Sequence, residues 1–227
     1  TEGADGVGGT APGIGTLNES SLHAGIKDFL ARPGDRFEVP LAGFIIDIVR
    51  DDELIEIQTG AFGALGNKLD RLLGDHRIQI VHPIALNTWI ARPGKRPRKS
   101  PRSGTILDLF SELVSLPTLL DHPNLSLEVL LIDEEQLRVP GRRGERKSMD
   151  RRLRAVRDTR HLGEVSDLAA LLPIGLEERW TTADLARSAG ISRRLAQSMA
   201  YCLRMNELVV EQGRGRTGRA YVLADGR

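Results

Sequence analysis

The chain has 227 residues, 40% of them hydrophobic, which predicts one large or two small folded domains and excludes a wholly disordered chain. Its single cysteine excludes an internal disulfide and a zinc site built from several cysteines, and 4% aromatic residues argue against an aromatic platform for single-stranded nucleic acid. The formal net charge is +1, but residues 1–139 carry 14 basic and 20 acidic residues, and residues 140–227 carry 18 basic and 11 acidic ones. This asymmetry predicts an anionic partner for the C-terminal part.

The first elements predict an α/β core at 17–139. A Gly-, Ala- and Thr-rich stretch at 1–16 is typical of a flexible tail, and Asn18 is positioned to cap a helix at 18–31. Apolar patterning then predicts strands at 36–40, 44–50 and 53–59, a helix at 62–73, strands at 77–81 and 88–91, a helix at 107–116, and one or two strands at 125–137. This order is typical of helices packed on a mixed sheet.

Two basic segments accompany the core. Residues 92–102 contain six basic and no acidic residues, and their prolines predict a mobile loop. This loop either clamps DNA, through Lys95, Arg96, Arg98 and Lys99, or only keeps the protein soluble. Residues 141–160 contain nine basic and three acidic residues, which predicts a basic linker at 140–162 or an exposed helix. A solvated connector and a nucleic-acid contact are both consistent with that composition.

Residues 163–227 combine a helix-turn-helix pattern with a basic hairpin. Thr181 and Ser192 are suited to cap two helices, and Gly190 lies between them at the turn. Two short apolar strands then flank a Gly- and Arg-rich turn. The order resembles a winged helix-turn-helix domain. That resemblance implies nucleic-acid contacts from the second helix and the hairpin, namely Arg193, Arg194, Gln197, Arg214, Arg216 and Arg219. A protein–protein interface is the alternative for the second helix.

Two acids on the strands at 44–50 and 53–59 form the candidate chemical site. If the chain folds back symmetrically between them, facing residues have numbers that sum to 103, so Asp47 faces Glu56 on one side of the strand pair. A divalent cation would offset their repulsion, whereas a solvated sheet face needs no ligand. Glu19 and Lys68 lie beside the apolar stripes of the two flanking helices and could reach these acids. His23, four residues after Glu19, is either part of this site or structural.

The helix-borne Glu19, the strand-borne Asp47 and the run Glu56-Ile57-Gln58 resemble the PD-(D/E)XK nuclease superfamily, with an element order closest to Holliday-junction resolvases. The resemblance implies a restriction-endonuclease-like core in which Asp47, Glu56, Ile57 and Glu19 hold Mg²⁺ or Mn²⁺. The last motif position is usually lysine, but here it is Gln58, and Lys68 is our candidate to supply the missing positive charge. The implied catalytic residues are Glu19, Asp47, Glu56, Gln58 and Lys68.

These observations predict a metal-dependent endonuclease that hydrolyses duplex or branched DNA and carries a winged-helix DNA-binding domain. A homodimer is one arrangement that would allow both strands to be cut. Two alternatives stay open: a non-enzymatic DNA-binding regulator with a degenerate core, favoured by Gln58, and an RNA-processing nuclease. The chain shows no signal peptide and no apolar run long enough to span a bilayer, so we expect a cytoplasmic protein.

Overall fold

The computed structural model describes residues 20–140, 146–215 and 218–224, and gives a large mixed sheet flanked by helices. The elements, in chain order, are α1 (Ser21–Leu30), β1 (Arg36–Leu41), β2 (Phe44–Arg50), β3 (Glu53–Ile57), α2 (Gly66–Leu72), β4 (Arg77–Arg92), β5 (Lys95–Lys99), α3 (Leu109–Leu113), β6 (Leu125–Pro140), β7 (Arg146–Leu162), α4 (Ser166–Ala169), β8 (Trp180–Thr181), α5 (Thr182–Ala189), α6 (Arg193–Met205), β9 (Val209–Gly215) and β10 (Gly218–Leu223). Short 3-10 helices occupy Phe62–Leu65, Ile106–Asp108 and Leu119–Asp121.

The seven-stranded sheet has the order β1-β2-β3-β4-β6-β7, with β5 paired to the C-terminal part of β4. Two hairpins with two-residue loops join β1 to β2 and β2 to β3, and the first loop places Ala42 and Gly43 at positive φ, as a type I′ turn requires. β4 runs parallel to both β3 and β6, so helices must cross over between these strands. The predicted α/β class with a mixed sheet is therefore confirmed.

Helices cover both faces of the sheet. On one face, Leu22 and Ile26 of α1 pack on a small cluster that includes Ile55 and Ile57. On the other face, α2 and α3 pack on a larger cluster that continues into the C-terminal elements. The helix α1 is capped by Ser20, whose side chain accepts a hydrogen bond from the His23 N–H, whereas the predicted cap Asn18 lies outside the described residues.

The C-terminal elements form a three-stranded antiparallel sheet, in the order β8-β10-β9, beside α5 and α6. The predicted caps Thr181 and Ser192 are confirmed, and Gly190 adopts the left-handed conformation between the two helices. The buried Asn206 donates a hydrogen bond to the Pro117 carbonyl at 2.6 Å, which ties the end of α6 to the segment after α3. Cys202 is buried in α6, and burial raises the pKa of its thiol to about 12, which fits a packing role.

Two basic segments differ from the prediction because each is a strand. The expected linker or helix contains β7, which pairs antiparallel with β6 along nearly its whole length. Its arginines lie beside the acids of β6, and this cross-strand charge complementarity replaces the apolar pattern by which strands are usually recognised. The expected mobile loop contains β5, where Pro97 is tolerated because it lies on an edge strand next to a bulge. The separate strands predicted at 77–81 and 88–91 are one strand, β4.

The chain after β5 returns along β4 and leaves little space at one glycine. Gly104 donates its backbone N–H to the Ala85 carbonyl at 3.0 Å. A Cβ atom added to Gly104 would lie 2.5 Å from the same carbonyl oxygen, whereas a Cβ added to the exposed Gly74 would meet nothing within 4 Å.

We therefore expect Gly104→Ala to lower the free energy of unfolding by about 1–3 kcal/mol, because backbone must move to relieve the contact. The control Gly74→Ala should change it by less than about 0.5 kcal/mol. Urea unfolding of both variants measures the difference. Equal stability of the two variants would contradict the close approach at Gly104.

Candidate functional site

The candidate site lies where β2 and β3 stop pairing. Their ladder runs from Arg50–Glu53 to Ile48–Ile55, which confirms the predicted register in which facing numbers sum to 103. Beyond it, β3 continues to pair with β4, but the Ile57 N–H donates to the carboxylate of Asp47 at 2.8 Å. A side chain of β2 thus takes the hydrogen bond that a strand carbonyl would otherwise accept.

Asp47 is held as a carboxylate by two donors. The same Oδ2 atom that accepts from Ile57 lies 3.2 Å from Nε2 of His23 on α1. Burial alone would raise the pKa of Asp47, but the hydrogen bonds and the positive charge from His23, together with the Ile57 N–H, lower it below the usual value. His23 therefore belongs to this site, which is one of the two roles that the sequence left open for it.

The ionised form of Glu56 is less well stabilised by its surroundings than that of Asp47. Its Oε1 atom accepts from Nζ of Lys68 at 2.6 Å, and the same ammonium donates to the Ile45 carbonyl at 2.8 Å. Its Oε2 atom is buried and has no hydrogen-bond partner within the described residues. Burial raises the pKa of Glu56, and the nearby negative charge of Asp47 raises it further against the opposing effect of Lys68. Lys68 thus reaches Glu56, as the helical pattern predicted.

Contrary to the prediction from the sequence, Asp47 and Glu56 do not both point to one face of the sheet. Ile55 and Ile57 pack beneath α1, so alternation directs Glu56 toward α2, which carries Lys68. Asp47 instead meets His23 from α1. The alternation of β2 breaks here, because Ile46 packs in the cluster beneath α2 and Ile48 in the cluster beneath α1. The carboxylates therefore interact across the gap between separating strands, approached from opposite sides.

The remaining described residues of the motif are Ile57 and Gln58. The side-chain amide of Gln58 donates to the Ala61 carbonyl at 2.6 Å, and its backbone carbonyl lies 2.7 Å from Nδ1 of His82. Burial lowers the pKa of His82 to about 4, so its ring is neutral at pH 7. The side chain of Ile57 is buried beneath α1, and its contribution to the site is the N–H that Asp47 accepts. Glu19 lies outside the described residues.

The acids fit a metal ion only in part. Across the ranges 20–140, 146–215 and 218–224, no three His, Cys, Asp or Glu side chains meet as a ready metal site. Glu56 Oε2 is nevertheless an unsatisfied acceptor beside a second carboxylate, which is the donor set that a hard divalent cation takes. Two clefts of about 760 and 780 Å³ lie elsewhere, beside Trp180 and beside His76.

Sequence reasoning missed a second pair of acids. Asp133 and Glu134 of β6 are each 1% exposed, and each meets an arginine of β7, Arg157 and Arg151 respectively. The signal was the acidic run at 133–135, which directly follows an apolar strand and precedes an arginine-rich segment. Buried charges require such partners, so these two features together could have predicted that the segments pair.

The residues predicted to bind nucleic acid lie on two surfaces. All four basic residues of β5 are exposed, and Lys99 also lies over the ring of Trp89, with 5.6 Å between Nζ and the ring centroid. Arg193, Arg194 and Gln197 are exposed on the first turns of α6, and Arg214 is exposed on β9. Arg219 is exposed and pairs with Glu211 at 3.1 Å, whereas Arg216 lies outside the described residues.

Comparison with known proteins places the site within a family. A family model described as "Domain of unknown function (DUF8091)" matches residues 20–168, which include both acid pairs. The chain belongs to this family. An "Uncharacterized protein" of Treponema pallidum (strain Nichols) is 33% identical over 217 residues, a match that covers 90% of this chain and 85% of that protein, and so extends beyond residue 168. No solved structure matches the chain. None of the helices in the described ranges has the length and apolar character needed to cross a membrane.

The raised pKa of Glu56 predicts a pH-dependent effect of Glu56→Gln. Between the unfolded value of 4.5 and the higher folded value, the folded protein holds a proton that the unfolded chain has lost, so the parent loses stability as pH rises. The glutamine variant lacks this loss. Its free energy of unfolding relative to the parent should therefore increase as the pH rises above 4.5, and it should level off once the pH exceeds the folded pKa of Glu56.

Asp35→Asn is the matched control for this pH series. The hydrogen bond from Arg50 lowers the pKa of Asp35, so its stabilisation is fully present above its unfolded value of 3.8. Asp35→Asn should therefore lower the free energy of unfolding by a constant amount over the same pH range. Urea unfolding at several pH values tests both, and a flat difference for Glu56→Gln would contradict the raised pKa.

Proposed function

We propose that this protein is a metal-dependent nuclease that hydrolyses phosphodiester bonds of DNA. The observation that carries the proposal is the buried Oε2 atom of Glu56, which has no hydrogen-bond partner in the part of the chain that the structure describes and lies beside the carboxylate of Asp47. The negative charge of Asp47 raises the pKa of Glu56, and a divalent cation bound by both carboxylates would offset this repulsion. Asp47, Glu56 and, by resemblance, Glu19 would hold Mg²⁺ or Mn²⁺.

The fold order supports this proposal. Helix α1, three antiparallel strands, helix α2 and the parallel strand β4 follow one another as in the PD-(D/E)XK resemblance, and the acids lie where β2 and β3 separate. We propose on this basis that residues 20–162 form a restriction-endonuclease-like core. The proposal depends on the chemistry of the site, because a fold by itself does not determine function.

The chain's own residues have distinct roles in this proposal. A bound metal ion would lower the pKa of a water ligand and stabilise negative charge on the phosphate. His23 holds Asp47 in its ionised form through Nε2, so this carboxylate stays ready to bind a cation. Lys68 offsets part of the charge of Glu56 and is fixed by the Ile45 carbonyl. Lys68 thereby provides near the site the positive charge that Gln58 lacks.

DNA would be held by the C-terminal elements and by β5. We propose that residues 163–224 act as a winged helix-turn-helix domain, with α6 as the recognition helix and the β9–β10 hairpin as the wing. The support is the order of α4, β8, α5, α6, β9 and β10, and the exposure of the basic residues on α6 and β9. The exposed cations of β5 would contact phosphates next to the core.

A DNA-binding regulator without catalytic activity is the second candidate. The Gln58 amide is turned to the Ala61 carbonyl, and each acid already has a cationic or histidine partner, Lys68 for Glu56 and His23 for Asp47. These pairs would stabilise the acids without a metal ion. An RNA-processing nuclease would use the same phosphodiester chemistry, so substrate comparison must separate the two nucleic acids.

We expect the full chain to cleave nucleic acid with Mg²⁺ or Mn²⁺ and to lose cleavage with a chelator. Duplex, single-stranded and branched DNA and RNA should be compared. Asp47→Asn, Glu56→Gln and Lys68→Met should each lower kcat by about 100-fold or more, because each removes a fixed charge at the site. Mn²⁺ should raise the Tm of the parent but not that of Glu56→Gln.

Asp52→Asn is the control for these variants, because Asp52 is an exposed acid on the adjacent turn and pairs with Arg77. Its cleavage rate should equal that of the parent. Binding of DNA without cleavage, at any metal concentration, would exclude the nuclease and favour the regulator. Full activity of Glu56→Gln would exclude Glu56 as a metal ligand.

The salt dependence of DNA binding tests the contact through β5. Replacing Arg96 and Arg98 with serine should weaken duplex binding and lower the slope of log K against log salt by about 1.8, at about 0.9 per lost phosphate contact. Arg214→Ala should lower it by about 0.9. The paired control, Arg160→Ser with Arg187→Ser, removes exposed arginines that already bind acids. An unchanged slope for the β5 variant would exclude this contact.

A further inference from the structure

Glu134 is the most fully satisfied acid on β6. Its Oε1 atom accepts from Oγ1 of Thr88 at 3.2 Å and from Nε2 of Gln136 at 2.7 Å, and its Oε2 atom accepts from Nε of Arg151 at 2.8 Å. The Nη2 atom of the same guanidinium lies 2.8 Å from Oε2. Because Glu134 is buried and bonded on both oxygens, it holds the Arg151 side chain in one orientation.

Arg151 keeps N–H groups for which the described residues provide no acceptor. A guanidinium has five N–H groups in one plane. Nε and Nη2 contact Glu134, and Nη1 makes a long hydrogen bond of 3.4 Å to the Thr59 carbonyl. The side chain is 34% exposed, so the remaining N–H groups are available for an anion. A fixed, partly exposed guanidinium of this kind matches two oxygens of a phosphate group.

The contacts of β7 place Arg151 beside the candidate site. Thr59, which Arg151 contacts, comes three residues after Glu56 in the chain. The preceding residue, Asp150, accepts hydrogen bonds from the N–H and the Oγ of Ser21, two residues before His23. Residue 150 of β7 therefore contacts α1, the helix whose His23 contacts Asp47. Residue 151 contacts the segment that follows β3 after Glu56.

We propose that Arg151 is a phosphate-binding residue of this site and that Glu134 is the positioning residue that orients it. This inference rests on the proposed function and deepens it, because it names a contact to the nucleic-acid backbone. Lys68 already donates to Glu56 and to the Ile45 carbonyl, so it offers less to a substrate phosphate. Arg151 supplies a fixed positive charge from β7, a strand outside the motif in which Gln58 replaces lysine.

The neighbouring pair of Arg157 and Asp133 is a matched control. Asp133 is as buried as Glu134, and it accepts from Arg157 and, at 2.6 Å, from Nδ2 of Asn87. Consecutive residues of a strand point to opposite faces, so this pair lies on the side of the sheet away from α1. The same chemistry is thus present twice on β6 and β7, once beside the candidate site and once on the other face.

The test measures affinity of the full chain for a fluorescently labelled duplex oligonucleotide with Mg²⁺, in a Glu56→Gln background that prevents cleavage. Arg151→Gln should weaken binding by about 10-fold or more, because a charged hydrogen-bond donor to phosphate is lost. Arg157→Gln should leave Kd within about twofold of the parent. Arg151→Lys, which keeps the charge but not the planar fork, should bind more tightly than Arg151→Gln.

Two further variants separate positioning from folding. Arg151→Gln leaves the buried Glu134 without its cation, so the double variant Glu134→Gln/Arg151→Gln is included to remove that unpaired charge. It should fold more stably than Arg151→Gln, because no buried charge is left unpaired, and still bind weakly. Glu134→Gln alone should raise KM for cleavage in an otherwise wild-type chain more than it lowers kcat, since Arg151 remains but is less well oriented.

The outcomes distinguish this inference from the proposed function. If the parent cleaves nucleic acid and Arg151→Gln matches it in Kd and KM, the inference is wrong and the nuclease proposal stands. If no substrate is cleaved but Arg151→Gln alone loses affinity, the nuclease proposal fails and the phosphate contact stands. Equal losses in Arg151→Gln and Arg157→Gln, or no binding by the parent, would overturn the inference.

Discussion

The sheet depends on the point where β2 separates from β3, because β3 continues to pair in parallel with β4 beyond the residues that pair with β2. A backbone N–H buried at such a junction must find another acceptor. Asp47 accepts from Ile57 and so closes the gap, but it brings a negative charge into the sheet. That charge requires His23 from α1, and it raises the pKa of Glu56 on the neighbouring strand. The geometry of the candidate site thus follows from how the strands diverge.

Four acids of the sheet are each paired with a side chain from another element. Asp47 and Glu56 receive theirs from helices, and Asp133 and Glu134 receive theirs from β7. A buried charge is costly when it loses its partner, so these pairs link the two ends of the sheet to particular helices and strands. They also explain the charge asymmetry of the sequence, since an acidic first part and a basic second part meet along β6 and β7.

The sequence was sufficient for the elements whose signals are local. The register of β2 and β3 followed from one symmetric turn, and the caps Thr181 and Ser192 followed from residue type. The helical position of Lys68 correctly brought it to Glu56. Long-range pairing was not visible: β7 was hidden because its stability comes from acids on β6 rather than from an apolar stripe. The surroundings of Asp47 also could not be predicted, because the break in alternation between Ile46 and Ile48 depends on where β3 leaves β2.

The length of β4, β6 and β7 has a consequence for how the chain folds. β6 and β7 are neighbours in sequence, so bringing them together has a modest entropic cost. β4 must instead pair in parallel with β6 across the intervening β5 and α3, as Ile78 does with Leu125. Contacts between distant segments slow the folding of a chain. The β6–β7 hairpin is therefore suited to form early. The β2–β3 junction with its acids is completed only when β4 docks between β3 and β6.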